Sequence, residues 1–383
     1  MNSGGLDVVE ILNRFHLILK SRSSLLIYLS ISSLFVISTL SRLLYHGFVG
    51  RFDHFLYQPD GALYTQLALQ YSGLSPDAAG DQVIGWYSLH GKPGLNFQED
   101  FFKTELNPGV WALVSVRILY PLLSTPFVQV LGIQGMLVIP IISYGILLLT
   151  ITLIARRLNN LPIGLALVFL LTTSSTVSRW YIANITDGLL ATLFALSLLV
   201  LVSEKRHKTL LILILITLTS FTRFCLPIWL AIGIFLVLKN RLLLGTATLA
   251  WSLINFIPVL IAKPDLSFVA PKESQNLIER GLEFVGSSFE LLFVEIGQLI
   301  ATDRALFVVI LAAIVLSFSN LKSESSQLFI LVGLAVWFIG ALNPVLGVNF
   351  RYQLPLLCFA CWTILDKLYV LRDRPLRDVL HIK

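Results

Sequence analysis

Apolar runs of about 15 to 23 residues recur along almost the whole of this 383-residue chain, and no other feature constrains its fold as strongly. Roughly 20 consecutive apolar residues cross the hydrocarbon core of a bilayer as a helix. In that core every backbone N–H and C=O must bond within its own segment, so such runs have helix as their only option. Runs at 24–46, 134–155, 161–178, 186–202, 208–222, 224–238, 242–262, 304–319, 326–342 and 352–370 predict an all-α, polytopic transmembrane protein of about ten spans. Only 13% of the residues are charged, where a soluble domain carries roughly a quarter. The apolar runs leave no stretch for a separate soluble domain, so residues 1–383 read as one membrane-embedded domain.

Arg14, Lys20 and Arg22 precede the first run as they would in a signal peptide. That run exceeds the roughly 7–15 residues of a signal core and no small-x-small cleavage pattern comes after it, so 24–46 reads as an uncleaved first span.

Charge sets the orientation. With residues 1–23 placed in the cytoplasm, the cytoplasmic segments also take in Arg156-Arg157, Lys205 to Lys208, Lys239 to Arg241, Lys322 and the end of the chain, with its tail at 371–383. These segments hold 16 of the 28 Lys and Arg, whereas 15 of the 22 Asp and Glu fall on the other side. This is the positive-inside distribution. The net charge of +6 thereby reads as membrane orientation, with no nucleic-acid partner. Both termini are expected in the cytoplasm, and the protein is expected in the plasma membrane.

Two outer segments are long. Residues 47–133 form a large first loop, polar over 47–107 and amphipathic over 108–133. In its second half Pro108, Arg117, Pro121 and Pro126 favour helices lying along the interface. Residues 263–303 form the second outer segment. Loops beyond about 12–15 residues are seldom idle connectors. No internal repeat of the transporter kind is visible. Cys225, Cys358 and Cys361 lie inside apolar runs and read as buried small residues.

Ionisable groups near membrane depth are functional candidates. Asp53, Asp60, Arg117, Arg179, Asp187, Arg223 and Arg351 all fall at or just beyond the outer ends of spans, while Arg42 lies inside the first span. Four arginines and three carboxylates at one membrane face suit an anionic ligand with a lipid tail, because a guanidinium grips phosphate through its planar fork. A carboxylate beside them could act as general base or hold a divalent cation, though the sequence requires no metal.

Each has a plainer reading. Asp60 stands in the turn-forming Pro59-Asp60-Gly61, Asp187 could cap the helix it opens, and Arg117 and Arg179 could anchor at the interface. Arg223 could simply make a polar turn, and Arg351 could snorkel to headgroups. His54 and His90 read as solvated loop histidines with proton transfer as the alternative. Asn184-Ile185-Thr186 matches the glycosylation pattern, but it abuts a membrane entry and nothing else supports it. Gly85-Trp86-Tyr87 and Trp180-Tyr181 read as an aromatic belt, or as rings for stacking a sugar.

Five short motifs, in order along the chain, resemble those of the GT-C glycosyltransferases, integral membrane enzymes that take sugars from polyprenyl-phosphate carriers on the outer or lumenal face. Tyr57-Gln58-Pro59-Asp60-Gly61-Ala62-Leu63-Tyr64, with Gln66-Leu67-Ala68 after it, resembles the family's first-loop motif. Leu119-Tyr120-Pro121-Leu122-Leu123 resembles the juxtamembrane segment after that loop, and Thr186-Asp187-Gly188-Leu189-Leu190 the polar opening of a later span. Leu218-Thr219-Ser220-Phe221-Thr222-Arg223 resembles an Arg-bearing turn, and Asn349-Phe350-Arg351-Tyr352-Gln353-Leu354-Pro355 the Arg-Tyr motif before the last span. Many members carry two adjacent acids where this chain has Asp60-Gly61. The resemblance implies Asp60 as the base, with Asp53 as second choice, and adds Tyr64 and Tyr352 to Arg117, Arg179, Asp187, Arg223 and Arg351 as substrate-binding residues. It implies transfer of a sugar from a polyprenyl-phosphate donor to a glycan, lipid or protein acceptor. A transporter or flippase of a lipid-linked anion, and a structural membrane subunit, are the alternatives.

Overall fold

The computed structural model describes residues 24–48, 59–90, 108–203, 207–262, 277–341 and 351–372, and all the regular structure among them is helical. Helix α1 spans Ser24–Phe48, α2 Pro59–Tyr71, α3 Pro76–His90, α4 Pro108–Ser115, α5 Leu119–Leu131, and after a 3-10 turn at Gly132–Leu137 α6 covers Val138–Arg157. Next come α7 Leu161–Thr173, α8 Ser175–Ile182, α9 Asp187–Leu201, α10 Lys208–Ser220, α11 Leu226–Leu238 and α12 Leu242–Ala262. The last four are α13 Leu277–Thr302, α14 Arg304–Ser319, α15 Glu324–Ala341 and α16 Leu356–Arg372.

Helix α9 is the hub. Apolar on every side, it is buried on every side, with only Leu196 and Leu199 partly reaching the surface. It packs against α6, α8, α10 and α16. Helix α12 is its opposite. Leu242, Leu243, Leu253, Ile254, Ile257, Leu260 and Ile261 are all exposed along it, a contiguous apolar face that suits lipid rather than water. Hydroxyls inside the bundle are satisfied locally. Ser143, Thr152, Ser197, Thr219 and Thr248 each donate to the carbonyl four residues back.

Two breaks shape the bundle. Residues Leu119–Arg157 form one unbroken helical stretch, but it is not straight. The Tyr120 hydroxyl donates to the Met136 carbonyl at 2.7 Å, whereas 16 helical residues would separate them by about 24 Å. The chain reverses at Gly132, whose φ of 64° lies in the left-handed region, and Gly135 sits so close to the Phe127 carbonyl that no Cβ would fit. Helix α5 thus folds back on the 3-10 turn, and α6, 20 residues long, is the piece able to cross a bilayer. The second break is at Ser174. The run expected as a straight span over 161–178 bends there by 70° between α7 and α8. Ser174 caps α8 by accepting from Val177 N at 3.0 Å, and it donates to Asp303 Oδ2 at 2.6 Å. Asp303 also accepts from Thr176 N at 2.7 Å and, through Oδ1, from Leu306 N at 3.0 Å, so one carboxylate pins the bend and caps α14.

By length and apolarity two helical stretches among the described residues can cross a membrane, or three if the bent α7–α8 pair counts as one span. About ten full-length spans are not what the helices show. Helices α10 and α11 have 13 residues each, about 20 Å at 1.5 Å per residue against roughly 30 Å of hydrocarbon. The expected positions nevertheless coincide with helices, and 242–262 and 304–319 match α12 and α14 end to end.

Of the two segments expected as outer loops, the first contributes α2, α3, α4 and α5, with α2 packed on α3 and α5. In the second, α13 crosses from the C-terminal end of α15, where Trp337 Nε1 donates to the Ser288 carbonyl at 2.9 Å, to the start of α14. The segments 1–23, 49–58, 91–107, 204–206, 263–276, 342–350 and 373–383 lie outside the described residues, and Asp53 and His54 with them.

Candidate functional site

The bundle has two chemically distinct ends. At one end lie the starts of α2, α9 and α16 and the turn between α10 and α11, and these bring the sequence-selected charges together. Asp60 is in the first turn of α2 and Asp187 opens α9. A negative charge is favoured at both places by the unpaired N–H groups of a helix N-terminus. Asp60 is therefore the start of a helix rather than a turn residue. Asp187 is not the cap of α9, since Thr186 holds that position.

Asp187 is almost fully buried, its side chain 3% exposed, and both its oxygens are taken. Arg223 Nη1 donates to Oδ1, and Arg351 Nε donates to Oδ2 at 3.0 Å. The same Arg351 reaches on with Nη2 to Asp60 Oδ2 at 2.6 Å. Arg223, Asp187, Arg351 and Asp60 thus form a chain of alternating charge joining four segments far apart in sequence. Asp60 ends that chain, and its side chain is 50% exposed. The Arg351 guanidinium, supported by Arg223 and Arg117, holds the Asp60 carboxyl below the usual carboxylate range, against the opposing effect of desolvation.

Aromatic rings floor the cluster. The Arg223 guanidinium lies over Tyr352 at 4.5 Å, and Arg351 lies 5.6 Å from Tyr352 and 5.5 Å from Trp180. Arg179 stands on the same Trp180 ring at 4.8 Å. Tyr64, one helical turn beyond Asp60, accepts from Arg117 Nη1 at 2.9 Å and packs edge-on against Tyr120. Leu119 N donates to the Phe221 carbonyl at 3.1 Å, which fastens the Arg117 segment beside the Arg223 turn. Among the described residues four arginines and two carboxylates therefore gather here.

Every candidate site residue that is described falls in this cluster, and Asp53 lies outside the described residues. Several residues that position it were read otherwise. Asn184 is fully buried, which removes it as a glycosylation acceptor. Its amide donates to the Tyr87 hydroxyl, which is also 3.2 Å from Thr65 Oγ1. Gly61 lies against the Asn184 amide so closely that a Cβ would overlap it, so α2 is seated where only glycine allows. Trp180 and Tyr181 are buried inside the protein rather than set in an aromatic belt. Cys225, Cys358 and Cys361 are free and buried, as expected. Among the described residues no three His, Cys, Asp or Glu side chains gather as a metal site would need.

Compared with protein families, with curated proteins and with solved structures, the chain matches none.

Proposed function

We propose that this chain is a multi-pass membrane glycosyltransferase that moves a sugar from a polyprenyl-phosphate carrier to a hydroxyl of a glycan, lipid or protein acceptor. One observation carries the reading: a half-exposed carboxylate, Asp60, stands beside two arginines, and a second, buried carboxylate holds those arginines in place. In this reading about ten segments cross the plasma membrane, the shorter helices crossing together with their flanking turns. Both termini are cytoplasmic and the cluster faces outward. Membrane lipids surround the apolar faces typified by α12.

The chemistry rests on these positions. The acceptor oxygen attacks the anomeric carbon while Asp60 takes its proton. The bond from that carbon to the phosphate oxygen breaks, its electron pair leaves with the polyprenyl phosphate, and Arg351 and Arg223 meet the charge that develops there. At rest Asp60 is a weak base, because Arg351 is paired to it. A guanidinium has five N–H donors, so Arg351 can turn part of its fork to the arriving phosphate. That weakens its hold on Asp60 and places negative charge nearby, and both effects raise the proton affinity of the carboxylate where transfer needs it.

The test is transfer by the purified protein in nanodiscs, supplied with polyprenyl-phosphate sugars. Asp60→Asn is nearly isosteric and should lower turnover by 10²–10⁴-fold, the usual contribution of a general base, with donor binding kept. Full transfer by that variant would remove Asp60 as the base. Movement of the lipid between leaflets without bond cleavage would establish the transporter alternative.

A further inference from the structure

Arg42 takes no part in the cluster above. It lies about two turns before the C-terminal end of α1, a helix with no other Arg, Lys, Asp or Glu, and among the described residues it makes no ion pair or hydrogen bond. It opens onto a cavity of about 440 Å³ between α1 and α7. From α1 the lining is Leu34, Ile37, Ser38, Ser41 and Arg42, a stripe at helical spacing. From α7 it is Phe169, Thr172 and Thr173.

The two walls share a polarity gradient. Ser38 Oγ donates to the Thr172 carbonyl at 2.8 Å, and in the proposed topology both helices run from the cytoplasmic to the outer side. Leu34, Ile37 and Phe169 line one end of the groove, with Ile37 64% and Phe169 53% exposed. Ser41, Arg42 and Thr173 line the other. A phospholipid has that profile, acyl chain below and phosphate above. The hydroxyls are already committed as donors: Ser41 to the Ser38 carbonyl at 3.0 Å, Thr172 to Phe169 at 2.8 Å and Thr173 to Leu170 at 2.9 Å. Among the described residues Arg42 is the one cation lining the cavity, no carboxylate lines it, and the guanidinium donors are uncommitted. A bare guanidinium at membrane depth is costly unless a counter-ion meets it.

We infer that the α1–α7 groove binds the phosphate of an anionic glycerophospholipid through Arg42, with an acyl chain lying along Leu34, Ile37 and Phe169. The inference rests on the reading of this chain as a membrane protein but not on its being a transferase. The lipid occupies this groove as a resident of the bilayer, apart from any substrate at the Asp60–Arg351 cluster.

The experiment is lipid titration of the full-length purified protein in neutral detergent, read by native mass spectrometry, using phosphatidylglycerol, phosphatidylcholine and a polyprenyl monophosphate as probes. Phosphatidylglycerol should bind more tightly than phosphatidylcholine. Arg42→Gln should lower its affinity about tenfold, the usual scale for a lost charge-assisted contact, and Arg42→Lys should restore part of it. Ile37→Trp, which fills the apolar end and keeps the charge, should also weaken binding. Arg241→Ala, at an exposed ion pair, should leave it unchanged. Equal binding to wild type and Arg42→Gln would overturn the proposal, as would loss of phosphatidylglycerol in Arg351→Ala but not Arg42→Gln, which would put the phosphate at the central cluster. Arg42-dependent binding of the polyprenyl phosphate alone would also overturn it and make the groove a carrier site. A wild-type melting temperature for Arg42→Gln separates lost binding from lost fold.

Discussion

The two ends of the helical bundle use their charges differently. At the end opposite the cluster, basic side chains complete helix termini. Arg157 donates to the Leu199 carbonyl at 3.5 Å and to Ser203, and Lys208 Nζ donates to the Leu201 carbonyl at 3.0 Å, both on the last turn of α9. Lys367 Nζ donates to the Asn320 carbonyl, just past α14, at 3.1 Å. Cations belong at helix C-termini, where carbonyls lack partners and the dipole is negative, so these residues are explained by folding alone. At the cluster end the arginines face carboxylates and aromatic rings instead. Burying charges costs several kcal/mol each, and apolar residues of similar volume often serve stability as well or better. A chain that keeps two buried arginines on one buried aspartate, with Arg117 and Arg179 alongside, is holding that arrangement for something other than folding.

The difference predicts a graded set of effects. The largest belongs to Asp187→Ala, which strands Arg223 in a buried site and leaves Arg351 with Asp60 alone. Removing one partner of a buried pair costs about 3–5 kcal/mol. Thermal unfolding in detergent should show a large loss. A melting temperature within a degree or two of wild type would mean that the cluster is no more demanding than the opposite end, and the contrast would fall.

Arg351→Ala comes next. Asp187 keeps Arg223, so the fold should survive better than in Asp187→Ala. The variant lacks a charge-assisted contact to phosphate, worth about 1.5–3 kcal/mol, so the affinity for a polyprenyl-phosphate donor should fall roughly tenfold or more. Arg351→Lys should recover only part, because Nε and Nη2 serve two different carboxylates and an ammonium cannot span them. Unchanged donor binding in Arg351→Ala would move the phosphate site to Arg223, Arg179 or Arg117.

How much of this was legible in the sequence depends on the range of the interactions. Hydropathy is a local property, and it located α12 and α14 end to end because each is one uninterrupted apolar run. The bend at Ser174 was not legible, since Ser174-Ser175-Thr176 is mild in hydropathy and its latch, Asp303, lies 129 residues further on. The reversal at Gly132 depends on a glycine conformation inside an apolar stretch. The charges at the cluster were visible individually, each at the edge of a run. That Asp187 would clamp two arginines was not visible, because those partners are 36 and 164 residues away. The Asn184 amide under Gly61 was hidden for the same reason, its local sequence suggesting only a glycosylation acceptor.

A smaller effect concerns pH. Because Arg351 above all holds Asp60 below the usual carboxylate range, the ion pair adds stability above the unfolded carboxyl value, about 3.9, and that contribution disappears as pH falls through the lower folded value. For activity, the acid limb of kcat/KM reports the free enzyme and that of kcat the donor complex. If the donor phosphate draws Arg351 away, the kcat limb should lie at higher pH than the kcat/KM limb. Coincident limbs would show that Arg351 keeps its hold on Asp60 through the reaction.

The smallest effect should come from the opposite end. Arg241 Nη2 donates to Glu324 Oε2 at 3.0 Å, joining the starts of α12 and α15, with side chains 41% and 44% exposed. The partners and the distance resemble those of Arg351 and Asp187, yet water reaches both groups, and exposed pairs contribute about 0–1 kcal/mol. Arg241→Ala should therefore shift the melting temperature only slightly and leave donor affinity and turnover unchanged. Raising the salt concentration should have as little effect on it, since the pair is already screened by solvent. The variant is informative because it removes an arginine from an ion pair of ordinary geometry while leaving burial as the one variable. Should Arg241→Ala destabilise the protein as much as Asp187→Ala does, burial would not be what sets the two ends apart. The cluster would then lose its claim to a cost that only function explains.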